Sequence, residues 1–298
     1  MELQPLLPDT RPLFEKHLHP AGAPLSAYSF ITHFLWRDHF SFHWTAHRDH
    51  FLLFARYDRC IYMPLPPIGP FDSQLVLDCF DLMDAENPDR AISRIENIPE
   101  ADAALYREAG LLVAPKDPEY LYRRAALAEL KGDKYKTHRA ACNQFEKECR
   151  PMDRSYTFSD EPAAWRLFEK WSAGRAATHS DPVYRFMLQD AASVHRRALS
   201  EAESLGLIGR VVEVDGEIAG YTFGFPLNRE TFCILLEVAD REKKGAASYL
   251  FRSFCRSLTD FEWINAMDDS GIPGLRQTKE SYRPEKKLGV SLARRGAR

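Results

Sequence analysis

The chain has 298 residues, 45% of them apolar and 12% aromatic, with 40 basic and 43 acidic side chains and a net charge of −3. That length gives one large domain or two of about 150 residues, and that apolar content excludes global disorder. No apolar run reaches the roughly 18–20 residues needed to span a bilayer.

The N-terminus, "MELQPLLPDTRPLFEKHLHP", carries acids and prolines where a secretion signal has basic residues and then an apolar run, so a soluble cytoplasmic protein is expected. Six cysteines (Cys60, Cys79, Cys142, Cys149, Cys233, Cys255) form no CxxC pair and read as reduced small hydrophobes. "PLFEKHL" and "SAYSFITHFLWRDHF" have helical spacing. The second runs into a histidine cluster (His33, His39, His43, His47, His50) that has no HExxH-type acid between His39 and His43, so no metal site is expected. Three strands follow, "FSFHWTA", "HFLLFARY" and "CIYMPLP", separated by turn residues and read as an antiparallel meander. After the break "PPIGPF" come a helix ("SQLVLDCFDLMDAE"), a strand ("RAISRIENI"), a helix ("PEADAALYREAG") and the strands "LLVAP" and "EYLYR".

The second half repeats that general order. "KTHRAACNQFEKE" is helical, "SYTF" a strand, and "EPAAWRLFEKWSAGR" and "DPVYRFMLQDAASVHRRALSEAESLG" are helices with acid-proline starts. Three strands, "LIGRVVEVD", "EIAGYTFGFPL" and "TFCILLEVA", come next, the first two joined by the hairpin signal Asp215-Gly216. A helix ("AASYLFRSFCRSL"), a strand ("FEWINAM"), the segment "DDSGIPGLRQTKESYRP" and a last strand ("LGVSLAR") complete the chain. The fold expected from this order is a mixed-sheet α/β fold of two tandem acetyltransferase-like (GNAT-type) domains, divided as 1–125 and 126–298 with the site in the second. Charge is uneven: residues 72–119 hold twelve acids against four bases, whereas 120–150 hold eight bases against four acids and 276–298 eight against two. The basic segments suit an anionic ligand, or are solvated faces.

Three stretches carry a more specific pattern. In "YLYRRAALAELKGDKYKTHRAACNQF" the marks are Gly132, Lys134, Tyr135, Arg139, Asn143 and Phe145; in "LEVADREKKGAASYLFRSF" they are Glu237, Ala239, Asp240, Lys244 and Gly245; the third is residues 268–284. Together they resemble the lysyl-phosphatidylglycerol synthase C-terminal-type family, a tandem acetyltransferase-like fold that includes soluble proteins. Lys136, Ala140, Val238, Ala266 and Met267 depart from the residues usual there. The resemblance implies aminoacyl transfer from a charged tRNA to an amine or hydroxyl. Coenzyme-A-dependent N-acyl transfer is an alternative within the fold, and binding of an anionic metabolite or RNA without turnover another. The donor is thus an aminoacyl-tRNA or an acyl-coenzyme A, with no other cofactor indicated.

The residues expected to carry the chemistry follow. Glu237 leaves a strand apolar enough to be central, so desolvation would raise its pKa toward that of a general base, unless a nearby cation pairs it. Asp268 follows the next strand and is placed beside it as a second carboxylate, with Asp269 read as a helix cap. Tyr282 is a candidate to protonate the leaving group, or a core anchor. Lys243, Lys244 and Gly245 precede a helix whose positive end would meet phosphate. Arg276, Lys279 and Arg283 are spaced to share one face of a short helix, and with Arg139 they would hold an anionic donor.

Overall fold

The computed structural model describes residues 1–18, 24–178 and 182–296; Asp181, expected to open the second long helix, and Arg298 of the basic tail lie outside them. By its contacts the chain forms two compact units that are discontinuous in sequence. The first comprises Met1–Glu119, Asp268–Gly271 and Lys287–Arg298, the second Tyr120–Met267 and Ile272–Lys286.

The first unit opens with β1 (Gln4–Pro5), α1 (Arg11–Leu18) and α2 (Phe30–Leu35), then the meander β2 (Ser41–His47), β3 (His50–Tyr57) and β4 (Cys60–Tyr62). These strands pair antiparallel in the order β1-β2-β3-β4. Phe51, Leu52, Leu53, Phe54 and Ala55 of β3 are all fully buried, as expected of a strand covered on both faces. Helix α3 (Ser73–Glu86) is capped by Asp72, whose carboxylate accepts the Leu75 N–H at 3.0 Å. Its stripe of Leu75, Val76, Cys79, Phe80 and Met83 packs on Leu52, Phe54 and Ile61. Only the second half of the expected strand "RAISRIENI" is extended, as β5 (Ile95–Pro99). Asp89 accepts the Ala91 N–H at 2.8 Å and winds Arg90–Ile92 into a 3₁₀ turn. Helix α4 (Ala103–Glu108) and β6 (Leu112–Pro115) complete the run.

The edge of β4 is finished by a side chain. Asn87 accepts the Ile61 N–H at 2.7 Å and donates to the Ile61 carbonyl at 2.8 Å and to Ser93 Oγ at 3.0 Å. Asn87→Ala is expected to lower stability by about 2–3 kcal/mol in urea unfolding, because it strands both main-chain groups of a buried residue. Asn87→Asp should cost no less, because it sets a buried carboxylate oxygen against the Ile61 carbonyl to which the amide donates.

The second unit begins with β7 (Glu119–Arg123), α5 (Arg124–Glu129), α6 (Lys136–Cys149) and β8 (Met152–Ser155). Helix α5 was not expected; its helix-forming run "RAALAE" ends at Leu130, whose φ is +52°. Then come α7 (Glu161–Thr178), α8 (Pro182–Leu205), β9 (Ile208–Val214), β10 (Glu217–Pro226), β11 (Thr231–Ala239), α9 (Ala246–Ser257), β12 (Trp263–Asn265) and α10 (Pro273–Ser281). The chain ends with β13 (Lys286–Leu288) and β14 (Val290–Arg294). The large sheet runs β13-β7-β12-β11-β10-β9-β8, and β11 with β12 is parallel while β12–β7 and β11 through β8 pair antiparallel. Val214 pairs with Glu217 across the expected hairpin. Strand β14 does not extend this sheet: it lies between β5 and β6, antiparallel to both, and so completes the first unit.

Two features of the large sheet position the site. Strands β11 and β12 pair only over Thr231–Cys233 and Trp263–Asn265, so β11 runs on from Ile234 to Ala239 without its parallel neighbour. Across β10, Phe223 pairs with Leu236 but Gly224 pairs with Ile234, which leaves Leu235 as an extra residue on β11. This bulge inverts the alternation, so Glu237 shares a face with Phe232 and Ile234. That face is covered by α5, α6 and α9, whose Leu127, Cys142, Phe254 and Cys255 join Phe232, Ile234 and Tyr282 in one core.

Candidate functional site

Glu237 stands opposite Thr222 of β10, on the part of β11 that β12 leaves unpaired. Its neighbours on the covered face are apolar, and Thr222 turns its hydroxyl to the Leu236 carbonyl (2.9 Å) instead of to the carboxyl. Carboxyl oxygen Oε2 is out of solvent and has no hydrogen-bond partner. Burial pushes the carboxyl pKa up to about 8. Among the described residues no cation stands against Oε2, as one would for a structural strand-end glutamate.

Tyr282 shares this buried space. The Glu237 carboxyl acts electrostatically on both the Tyr282 phenol and the Cys255 thiol, and burial is the larger cause raising the pKa of each. Tyr282 is buried just past the end of α10, with its hydroxyl donating to Ser248 Oγ at 3.3 Å. Its ring stacks on His138 with centroids 3.8 Å apart and rests on Phe251 at 4.8 Å. The Ser281 hydroxyl donates to the Thr278 carbonyl, so at 2.9 Å from Ser281 Oγ it is His138 Nε2–H that donates. Burial lowers the His138 pKa, which keeps the imidazole neutral. Sequence reasoning missed His138 and Ser248. The signal for Ser248 was the spacing of Ser248, Phe251 and Cys255 along one face of α9; His138 sat unremarked inside the basic run "KYKTHR".

The other expected residues are placed as follows. Lys279 turns inward and donates to the Ala266 carbonyl, and the Lys279 carbonyl accepts from Tyr122 Oη at 2.8 Å. Arg139 donates to the carbonyls of Leu130 and Gly132, closing the turn between α5 and α6. Arg276 and Lys244 are exposed, and Lys243 is half-buried. Gly245 precedes α9 with φ +88°, and a Cβ there would stand 2.4 Å from the Ala141 carbonyl oxygen. The space that glycine leaves is therefore taken by α6 and not by a ligand. Glu242, unfavourable to an anion, is paired with Lys170 at 2.5 Å.

Two expectations are corrected. Arg283 does not share a helical face with Arg276 and Lys279, because α10 ends at Ser281 and Arg283 adopts φ +56° ahead of Pro284. Asp269 is not a helix cap: α10 starts at Pro273 after Ile272, and the fully buried Asp269 accepts the Gly271 N–H at 3.1 Å. Asp268 belongs to the first unit, where its carboxylate accepts the Ser270 N–H at 3.0 Å and the Ser270 hydroxyl at 3.2 Å. Among the described residues no three His, Cys, Asp or Glu side chains are grouped to hold a metal, and no helix is long and apolar enough to cross a membrane.

Comparison with known proteins places this geometry in context. The family described as phosphatidylglycerol lysyltransferase, C-terminal, matches residues 23–294. A conserved protein of unknown function from Bacteroides thetaiotaomicron VPI-5482 superposes with a TM-score of 0.88 at 21% identity, over 99% of this chain and 100% of its own. L-PGS from Bacillus licheniformis gives 0.66 at 17% identity, over 96% and 92%. A tandem GNAT protein from the clavulanic acid biosynthesis pathway gives 0.52 at 10% identity, over 100% and 99%. These likenesses establish the tandem GNAT-type fold expected from the element order. No curated protein sequence matches the chain.

Proposed function

This chain belongs to the phosphatidylglycerol lysyltransferase C-terminal family, and from that premise we propose that it is an acyltransferase that moves an aminoacyl group from a charged tRNA to an amine or hydroxyl acceptor. The observation that carries the reading is the Glu237 carboxyl oxygen Oε2, out of solvent and without a hydrogen-bond partner, where β11 runs on past β12. A carboxyl with a pKa of about 8 ionises near neutrality and is basic enough to take a proton from an acceptor amine or hydroxyl as it attacks. The acceptor then bonds to the aminoacyl carbonyl carbon, the ester C–O bond to the ribose breaks, and the leaving oxygen takes up a proton. Tyr282 is suited to donate that proton, since its raised pKa keeps the phenol protonated. Lys243, Lys244 and Arg276 stand as candidates for the anionic donor, whereas Lys279 and Arg139 already donate to carbonyls of the chain itself.

The test is transfer of a radiolabelled aminoacyl group from bulk aminoacylated tRNA to a panel of amine and hydroxyl acceptors. Tyr282→Phe is expected to lower kcat by about tenfold or more with the melting temperature little changed. Binding of tRNA with no transfer to any acceptor would instead support a non-catalytic binding protein. Transfer from acyl-coenzyme A alone would replace the donor.

A further inference from the structure

A concave site lies in the second unit, on residues the proposed transfer does not use. Asp153 of β8, Arg210 of β9 and Tyr249, Arg252, Ser253, Arg256 and Ser257 of α9 line a pocket of about 250 Å³. Three guanidinium groups thus face one carboxylate. That carboxylate is committed: Arg210 donates to Asp153 through Nε (2.8 Å) and Nη2, and Ser253 Oγ donates to the same oxygen at 2.5 Å. The Ser253 hydroxyl and the Arg210 guanidinium hold the Asp153 carboxyl below the usual carboxylate range despite its burial, so the pocket keeps a formal charge of +2.

The remaining cations are fixed in place but not satisfied. Arg252 donates through Nε to the Ala128 carbonyl and through Nη2 to the Glu129 carbonyl, both at 3.1 Å, with the Cys142 thiol beside it. Arg256 donates only through Nε, to the Ala128 carbonyl at 3.1 Å. Among the described residues, both terminal nitrogens of Arg256 and Nη1 of Arg210 therefore have no protein acceptor. The carbonyl end of α5 orients two guanidiniums, and a salt bridge orients the third. Such rigid forks present donors in the geometry a tetrahedral oxyanion accepts. Arg256 and Ser257 are exposed, so the mouth is open to solvent.

We propose that this pocket binds a phosphate group, carried by a nucleotide or by a polynucleotide strand. Arg256 and Arg210 supply the charge-assisted hydrogen bonds, and Arg252 adds its charge. The site does not rest on the transfer reading, because neither Glu237 nor Tyr282 lines it.

The test is calorimetric titration of the full chain with inorganic phosphate, a nucleoside monophosphate and a short single-stranded RNA, at two salt concentrations. Saturable, salt-sensitive phosphate binding is expected. Arg256→Gln should weaken it by about tenfold or more, as loss of a charge-assisted contact does. Arg256 also bonds α5, so Ser257→Glu is the second variant: it sets a carboxylate at the exposed mouth without removing any arginine contact, and should abolish binding in a protein of unchanged melting temperature. Glu237→Gln should bind phosphate as the parent does, which separates this site from the transfer chemistry. Tighter binding of the nucleoside monophosphate than of the RNA assigns the phosphate to a small molecule, and the reverse assigns it to a strand. Absence of saturable phosphate binding, or binding that Ser257→Glu leaves intact, overturns the proposal.

Discussion

Glu237→Gln is expected to lower the transfer rate by about 10²–10⁴-fold, the range that a positioned general base supplies, and to remove a pH dependence centred near pH 8. In the parent protein the rate should rise as the carboxyl ionises through its pKa of about 8, because only the carboxylate takes a proton from the acceptor. Stability should run the other way. The folded-state pKa lies above the unfolded carboxyl value of 4.5, so between those pH values the folded chain holds a proton that the unfolded chain has released. The contribution from burying the neutral acid is complete below about pH 4.5 and is lost as the pH rises through about 8. Its size is on the order of a few kcal/mol. Urea unfolding at pH 5.5 and pH 9 should therefore show a stability loss in the parent that is much smaller in Glu237→Gln, since an amide has nothing to ionise. A full transfer rate in the glutamine variant would remove Glu237 from the mechanism. A flat difference in stability between the two proteins across that pH range would show that the carboxyl is solvated.

Glu237 was readable as a candidate from its place at the end of "TFCILLEVA", but its orientation was not. Strict alternation puts residue 237 on the face opposite Phe232 and Ile234. The extra residue Leu235 reverses that, and nothing in "CILLEV" marks where a bulge falls. The meander, the long helices and the Asp215-Gly216 hairpin were legible because each rests on local periodicity or turn chemistry. The return of β14 between β5 and β6 was not, because strand partners distant in sequence leave no local trace. The same holds for Arg139 and Lys279. As residue types they read as anion binders, whereas their nearest acceptors are carbonyls of the chain itself. Arg252 and Arg256 drew no notice within "YLFRSFCRSL", since their spacing is that of any amphipathic helix.

Gly224→Ala is expected to destabilise the protein by about 3 kcal/mol or more, and Gly224→Val to prevent folding at 37 °C. A Cβ at this position would stand 2.2 Å from the Cys233 carbonyl oxygen and 2.4 Å from the Phe232 ring. The first is main chain of the neighbouring strand, so no rotamer change relieves it. Either β10 and β11 separate or the bulge slips. A slip by one residue would carry Glu237 to the other face of the sheet, away from Tyr282 and Cys255. The two substitutions at Glu237 and Gly224 therefore test one arrangement from opposite ends. Gly174, in the interior of α7, is the control: a Cβ there meets nothing within 4 Å, so Gly174→Ala should gain up to about 1 kcal/mol from helix propensity. If Gly224→Ala folded with parental stability and kept the pH dependence assigned to Glu237, the bulge would not be what aims that carboxyl. If it folded but lost that dependence, glycine at 224 would be required for the site as well as for the fold.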